Sequence, residues 1–303
     1  MAPLLPKPSL FRRLTAFMGW TTASYALMGA FLLTVFLIIY IWWPIAVQVL
    51  AYIGLGGQWW RYFDWLLVGI FLFMSLTIMS GADIRADALI IFVGALGGLV
   101  IESWGTQTGT WWYFTAQRPP LWIIPAWPIA SLTIDRMVRV LNLFTTNATK
   151  EHKEKPLGSF VSACPRSLGV VFNFKTLYWL VFPAFYALML FFVWPAMGKS
   201  MTLMAVLLVT FLILTPTDHR FAVLTFLVGA GLGYFLEYWG TTRECWTYYT
   251  LQKPPFFAVL AHGMAAVAFW RAGEVVKMVW EKSIAEVVKK SSLLAKELRY
   301  RLR

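Results

Sequence analysis

The amino-acid sequence predicts an all-α polytopic membrane protein of about eight transmembrane helices, built as two parallel four-helix repeats. Three observations carry this expectation. Of the 303 residues, 59% are hydrophobic and only 13% are charged, far below the quarter usual in soluble domains. Lysine and arginine crowd into alternate connecting segments. One stretch of the chain recurs, without a gap, at an offset of 135 residues.

A helix needs about 20 apolar residues to cross about 30 Å of hydrocarbon. The expected spans are 26–48, 63–81, 87–103, 121–141, 177–197, 201–216, 221–239 and 256–277. The third, sixth and seventh are short, and a count of seven follows if 201–216 is re-entrant. The segment 1–21 starts basic and leads into an apolar run longer than the core of a signal peptide. No small-residue cleavage site follows, so the first helix is expected to be retained. A first four-helix unit then covers 22–141, a linker 142–176, a second unit 177–277, and a basic tail 278–303. From Val275 to Leu294 apolar residues recur at helical spacing, as in a helix lying on a membrane surface.

The cations test this map. Of 26 Lys and Arg, 21 fall on the face that holds both termini. Only Arg61, Arg118, Lys199, Arg243 and Lys253 fall on the other. By the positive-inside rule both termini are cytoplasmic, with the plasma (inner) membrane as the expected location. The net charge of +12 then sits beside anionic headgroups, and a nucleic-acid partner is not needed to explain it. The composition also excludes a soluble single-core enzyme, a disordered chain and a disulfide scaffold, the chain having only Cys164 and Cys245. On this map those two lie on opposite faces.

In the repeat, 83–136 aligns with 218–271. Matched identities include Asp83/Asp218, Gly98/Gly233, Glu102/Glu237, Trp104/Trp239, Gly105/Gly240, Trp111/Trp246 and Tyr113/Tyr248. Each unit has an even number of helices, so both enter from one face and the repeats are parallel. Gly94, Gly97 and Gly98 in the third helix, and Gly229, Gly231 and Gly233 in the seventh, predict that these two helices meet near the axis through small residues.

Chemistry concentrates on Glu102 and Glu237. Each lies 19 positions after the Asp of an Asp-x-Arg pair, about 28 Å along a helix, near the outer end of its span. An intramembrane carboxylate is costly and faces the bundle or a cavity. One reading has it bonding neighbouring helix ends; the other has it donating a proton as a neutral acid. Trp104, Trp111 and Tyr113, with Trp239, Trp246 and Tyr248, recur behind the glutamates. They fit either an aromatic belt, together with Trp60 and Trp122, or the roof of a pocket for an apolar ligand or a carbocation. His262 stands where the first unit has Trp127, as a helix–helix hydrogen bond or a proton relay. Asp135, Arg136 and Arg139 are expected to pair at a helix end, as are Arg271 and Glu274. No two histidines have ligand spacing, so no metal or other cofactor is expected.

The stretch Gly98-x3-Glu102-x2-Gly105-Thr106-x-Thr108-Gly109, with Tyr113, Pro119-Pro120 and Ile124-Pro125-Ala126-Trp127, resembles a membrane family of carotenoid biosynthesis that includes bisanhydrobacterioruberin hydratase. The resemblance covers about 40 residues, with a weaker echo in the second unit, where Arg243 and Glu244 replace Thr108 and Gly109. It implies protonation of a terminal double bond of a long polyene and capture of the cation by water. It also implies Glu102 as the acid, since only the first unit keeps the full motif. Three functions stay open: an enzyme acting on an isoprenoid or other lipid, a non-catalytic subunit or anchor bound to other membrane subunits, and a proton-coupled transporter.

Overall fold

The computed structural model describes residues 15–16, 18–53, 59–61, 63–151 and 173–301. In chain order its helices are α1 (Thr22–Ile41), α2 (Trp43–Ile53), α3 (Trp65–Met79), α4 (Ile84–Thr108), α5 (Ala126–Glu151), α6 (Phe174–Val193), α7 (Ser200–Leu214), α8 (His219–Thr242) and α9 (Phe256–Arg301). Two short strands, β1 (Trp111–Tyr113) and β2 (Trp246–Tyr248), and single helical turns at Trp59–Arg61, Leu121–Ile123 and Trp194–Ala196 complete the described elements. Most of 1–21 and of 142–176, with Cys164, lies outside the described residues.

Among the described residues the protein is all-α apart from that strand pair. Among the described residues five helices are long and apolar enough to cross a membrane: Thr22–Ile41, Ile84–Thr108, Phe174–Ala196, His219–Thr242 and Phe256–Ile284. The expected stretches 63–81 and 201–216 become α3 and α7, apolar helices of 15 residues each. The expected 121–141 becomes a turn at Leu121–Ile123 followed by α5, which carries Asp135, Arg136 and Arg139 in its interior. The expected 26–48 is interrupted at Trp42, between α1 and α2.

Side-chain oxygens start several of these helices. Asp64, Asp83, Asn173 and Asp218 are the N-caps of α3, α4, α6 and α8, each accepting a backbone N–H of the first turn, which satisfies donors that the helix leaves free. The two Asp-x-Arg aspartates are therefore caps. The end of α4 is set by Gly109 in the left-handed region, φ 75°. The matching position of the second half, Glu244, keeps that conformation at φ 57° without being glycine.

Four helices make the centre of the bundle. α4 packs along α5 and α9, and α8 packs along the same two, so that α4 and α8 stand at opposite corners of a ring with α5 and α9 between them. This corrects the expectation that the third and seventh spans meet through glycine. The glycines instead seat the neighbouring helices. A Cβ at Gly98 would collide with the Trp127 ring, and one at Gly233 would come within 2.5 Å of His262 Cβ. Gly94 lies under Pro128 and Ser131, and Gly229 under Gly263. Around this ring, α6 packs on α8 and α9, α3 on α5, and α1 on α3.

α9 corrects a further expectation. It is one helix of 46 residues, about 69 Å at 1.5 Å per residue, more than twice the hydrocarbon thickness. The tail therefore continues the last span instead of turning to lie on a surface.

Candidate functional site: two buried glutamates under an aromatic strand pair

Glu102 and Glu237 are each 3% exposed, on α4 and α8 one to two turns before those helices end. Burying a carboxylate without partners is prohibitive, and each has three. Glu102 Oε2 accepts from Trp111 Nε1 at 3.1 Å and Tyr113 OH at 2.9 Å, while Oε1 accepts from Trp127 Nε1 at 3.1 Å. Glu237 Oε2 accepts from Trp246 Nε1 at 2.9 Å, and Oε1 accepts from Tyr248 OH at 2.8 Å. His262 Nε2 lies 2.9 Å from the same Oε1. In both halves the partners follow the glutamate by 9, 11 and 25 residues. Thr106 and Thr241 donate to the backbone carbonyls of Glu102 and Glu237 at 2.6 Å.

The strands bring the two sets together. β1 and β2 pair antiparallel with Trp111 opposite Tyr248, Trp112 opposite Thr247 and Tyr113 opposite Trp246. Bonds from Phe114 N to Cys245 O (3.2 Å) and from Tyr249 N to Thr110 O (3.1 Å) flank the ladder. The Trp111 and Tyr248 rings are 5.7 Å apart, and the Tyr113 and Trp246 rings 5.9 Å. Gly105 and Gly240 leave the space that the indoles of Trp111 and Trp246 fill. Beneath this roof, Trp127 of α5 and His262 of α9 stack at 5.7 Å with planes 19° apart. A continuous layer results: Glu102, Trp127, His262, Glu237. Burial pushes the phenols of Tyr113 and Tyr248 well above their ordinary range, and the neighbouring glutamates push them further, so both phenols keep their protons.

Trp111, Tyr113, Trp246, Tyr248 and His262 are thus gathered on the two glutamates. Trp104 and Trp239 are not. Trp104 donates to Thr202 of α7 at 3.0 Å, and Trp239 donates to Asp64 before α3 at 2.8 Å. Each braces its helix to the other half of the chain. Asp64 also takes Arg243 Nε at 2.8 Å and Nη2 at 3.1 Å. Burial alone would raise the Asp64 carboxyl, but its bonds from Arg243, Leu67 N–H and Trp239 outweigh burial and hold it below its usual range. The belt expectation is corrected too: Trp111 and Trp122 are buried, at 8% and 4% exposure, and only Trp60 of the three named residues is exposed.

One buried ion pair was not legible in the repeat. Arg136 Nη2 donates to both oxygens of Asp87 at 2.7 Å, joining α5 to α4. Arg136 Nη1 and Arg139 Nε reach Asp135 at 2.7 and 2.9 Å. A lone acid inside an apolar run, 49 residues before an Arg in another, was the available signal. Ala222 takes the place of Asp87 in the second half, so Arg271 bonds Leu212 O and Thr215 Oγ1 instead. Glu274 pairs with Lys277, which corrects the expected Arg271–Glu274 pair.

Among the described residues no three His, Cys, Asp or Glu side chains gather to hold a metal ion. No family model, curated protein or solved structure matches the chain.

Proposed function

We propose that the protein is an integral membrane enzyme that acts on a long isoprenoid, such as a polyene, or on another lipid by proton transfer, in the manner of a hydratase. Glu237 and His262 form the proton-handling pair. The observation that carries this reading is the 2.9 Å contact between His262 Nε2 and a Glu237 carboxylate that is 3% exposed. The role given to Glu102 by resemblance passes to Glu237 for a physical reason. Both Glu102 oxygens face an indole N–H, which can only donate, whereas Glu237 Oε1 faces groups that both give and accept protons. In the proposed step the pair delivers a proton to one carbon of a double bond. Water then bonds to the adjacent cation, and its surplus proton returns to the pair.

The same proposal takes the chain as eight spans in two parallel four-helix units, 22–141 and 177–277. Both termini lie on the cytoplasmic face of the inner membrane. The recurrent 9, 11 and 25 spacing of bonds and the 21-to-5 cation split support it.

A second reading is a non-catalytic subunit or anchor, in which the glutamates only clamp the strand roof to the helices. The full hydrogen bonding of all four carboxylate oxygens favours it. Lipid extracts of cells expressing wild type, Glu237→Gln and His262→Trp decide between them. The enzyme predicts a product present in wild type and lost in both folded variants. A lipid profile that is the same in all three sinks the enzyme. Stable partners recovered in fixed ratio with all three forms would then support the subunit.

A further inference from the structure

At the end of the bundle where α4 and α8 begin, the ring of α4, α5, α8 and α9 leaves a cleft of about 280 Å³. This is close to the smallest volume usual for ligand pockets. Its walls change character with depth. At the mouth stand Asp135 and Arg139 of α5 and Glu274 and Lys277 of α9, between 21% and 55% exposed. Each side carries one acid and one base, Asp135 paired with Arg139 at 2.9 Å and Glu274 with Lys277 at 2.9 Å. Further in lies Thr225, 3% exposed, whose hydroxyl has no partner among the described residues. A buried hydroxyl left unpaired costs free energy that a bound acceptor would recover. Deeper still the lining is Val93, Ala266 and Phe269. The Phe269 ring closes the inner end, 5.8 Å from that of Trp127.

Two acids with two bases, then one hydroxyl, then an apolar end is the order of groups in a zwitterionic glycerophospholipid: charged head, ester, chain. We propose that this cleft seats one acyl chain of a zwitterionic diacyl phospholipid. The headgroup phosphate sits toward Arg139 and Lys277, its ammonium toward Asp135 and Glu274, and an ester carbonyl accepts from Thr225. A bare hydrocarbon would leave Thr225 unmatched, and an anionic lipid would draw Arg139 and Lys277 from their partners without offering a cation to Asp135 and Glu274. The site is separate from the chemistry at Glu237 and holds whether or not the protein is an enzyme.

The test is photolabelling in nanodiscs of phosphatidylcholine carrying a trace of phosphatidylethanolamine with a diazirine in one acyl chain. Parallel arms carry the same diazirine on phosphatidylglycerol and on a chain without a headgroup. Label from the zwitterionic probe should fall on the peptides containing Val93 and Ala266–Trp270 about tenfold more than on the outward face of α7, about 1.4 kcal/mol of preference. Gly273 lines the cleft and has open space where a Cβ would stand, so Gly273→Trp should fill the cleft, keep the helix and remove that label. Leu89→Trp does the same from the opposite wall if the first variant fails to fold. Glu274→Gln with Lys277→Gln should reduce zwitterionic labelling to the level of the headless chain. Equal labelling by all three probes, label spread evenly over outward faces, or label undiminished in a folded blocking variant would each overturn the proposal.

Discussion

Replacing each glutamate by glutamine, one at a time, separates the two halves of the site. A carboxylate accepts at both oxygens, whereas an amide accepts at one and donates at the other. At Glu102, Oε2 holds Trp111 and Oε1 holds Trp127, and both partners are indoles that cannot accept. Whichever way the amide turns, its NH2 confronts an indole N–H, leaving a buried donor unpaired at about 1–3 kcal/mol. At Glu237 the amide oxygen can take Trp246 while its NH2 gives one hydrogen to Tyr248 and one to the Nε2 of a neutral His262. No indole N–H is left facing a donor, Tyr248 turns from donor to acceptor, and the expected cost is about 1 kcal/mol or less. At about 2–4 °C per kcal/mol for a large domain, Glu102→Gln should lower the apparent Tm by about 2–12 °C and Glu237→Gln by no more than about 2–4 °C. Intrinsic Trp fluorescence during heating, in one detergent and at one scan rate, reads both. Equal losses, or a larger loss for Glu237→Gln, would refute the donor accounting on which the functional ranking of the two glutamates rests.

Four further outcomes follow from the geometry. Arg136→Leu strands the buried Asp87 and should cost about 3–5 kcal/mol. The double variant with Asp87→Leu should recover most of this, as measured by chemical or thermal unfolding. Gly98→Ala drives a methyl into the base of the Trp127 ring and should cost about 1–3 kcal/mol, with the Trp127 to Glu102 bond disturbed in the emission spectrum. The same change at Gly231, with open space around it, should be neutral or stabilising. Because its folded-state carboxyl lies below the ordinary value of 3.8, Asp64 contributes stability that is complete above that pH and fades as pH falls through the lower folded value. Wild type should therefore exceed Asp64→Asn in Tm at pH 7, and the gap should close under strong acid. Burial, aided by nearby Asp64, pushes the Cys245 thiol up to about 12. In a Cys164→Ser background its alkylation at pH 8 should run about a thousandfold slower than that of an ordinary thiol, and rapid labelling of the folded protein would contradict the burial.

Much of this organisation was legible in the chain. Apolar composition alone marks a membrane protein, because hydrocarbon demands long apolar helices whatever their packing. The 135-residue offset marked Glu102, Trp111 and Tyr113 and their partners in the second half as one recurring unit, because local spacing on a helix and the turn after it carries both. The match of His262 to Trp127 was visible as a substitution, though not as a shared bond to a glutamate.

The tertiary structure decided which residues meet across the two halves. Nothing in the local spacing states that β1 and β2 pair, that Trp104 and Trp239 reach out to α7 and to Asp64, or that Arg136 finds Asp87. Nor does it state that α4 and α8 are held apart by α5 and α9. Those contacts join residues far apart in sequence, and a donor's choice of acceptor depends on which helices the packing brings beside it. The sequence by itself determined what must be buried and which polar groups would need partners. The packing of the four central helices decided the partners, and with them that Glu102 is locked between two indoles while Glu237 lies 2.9 Å from His262 Nε2.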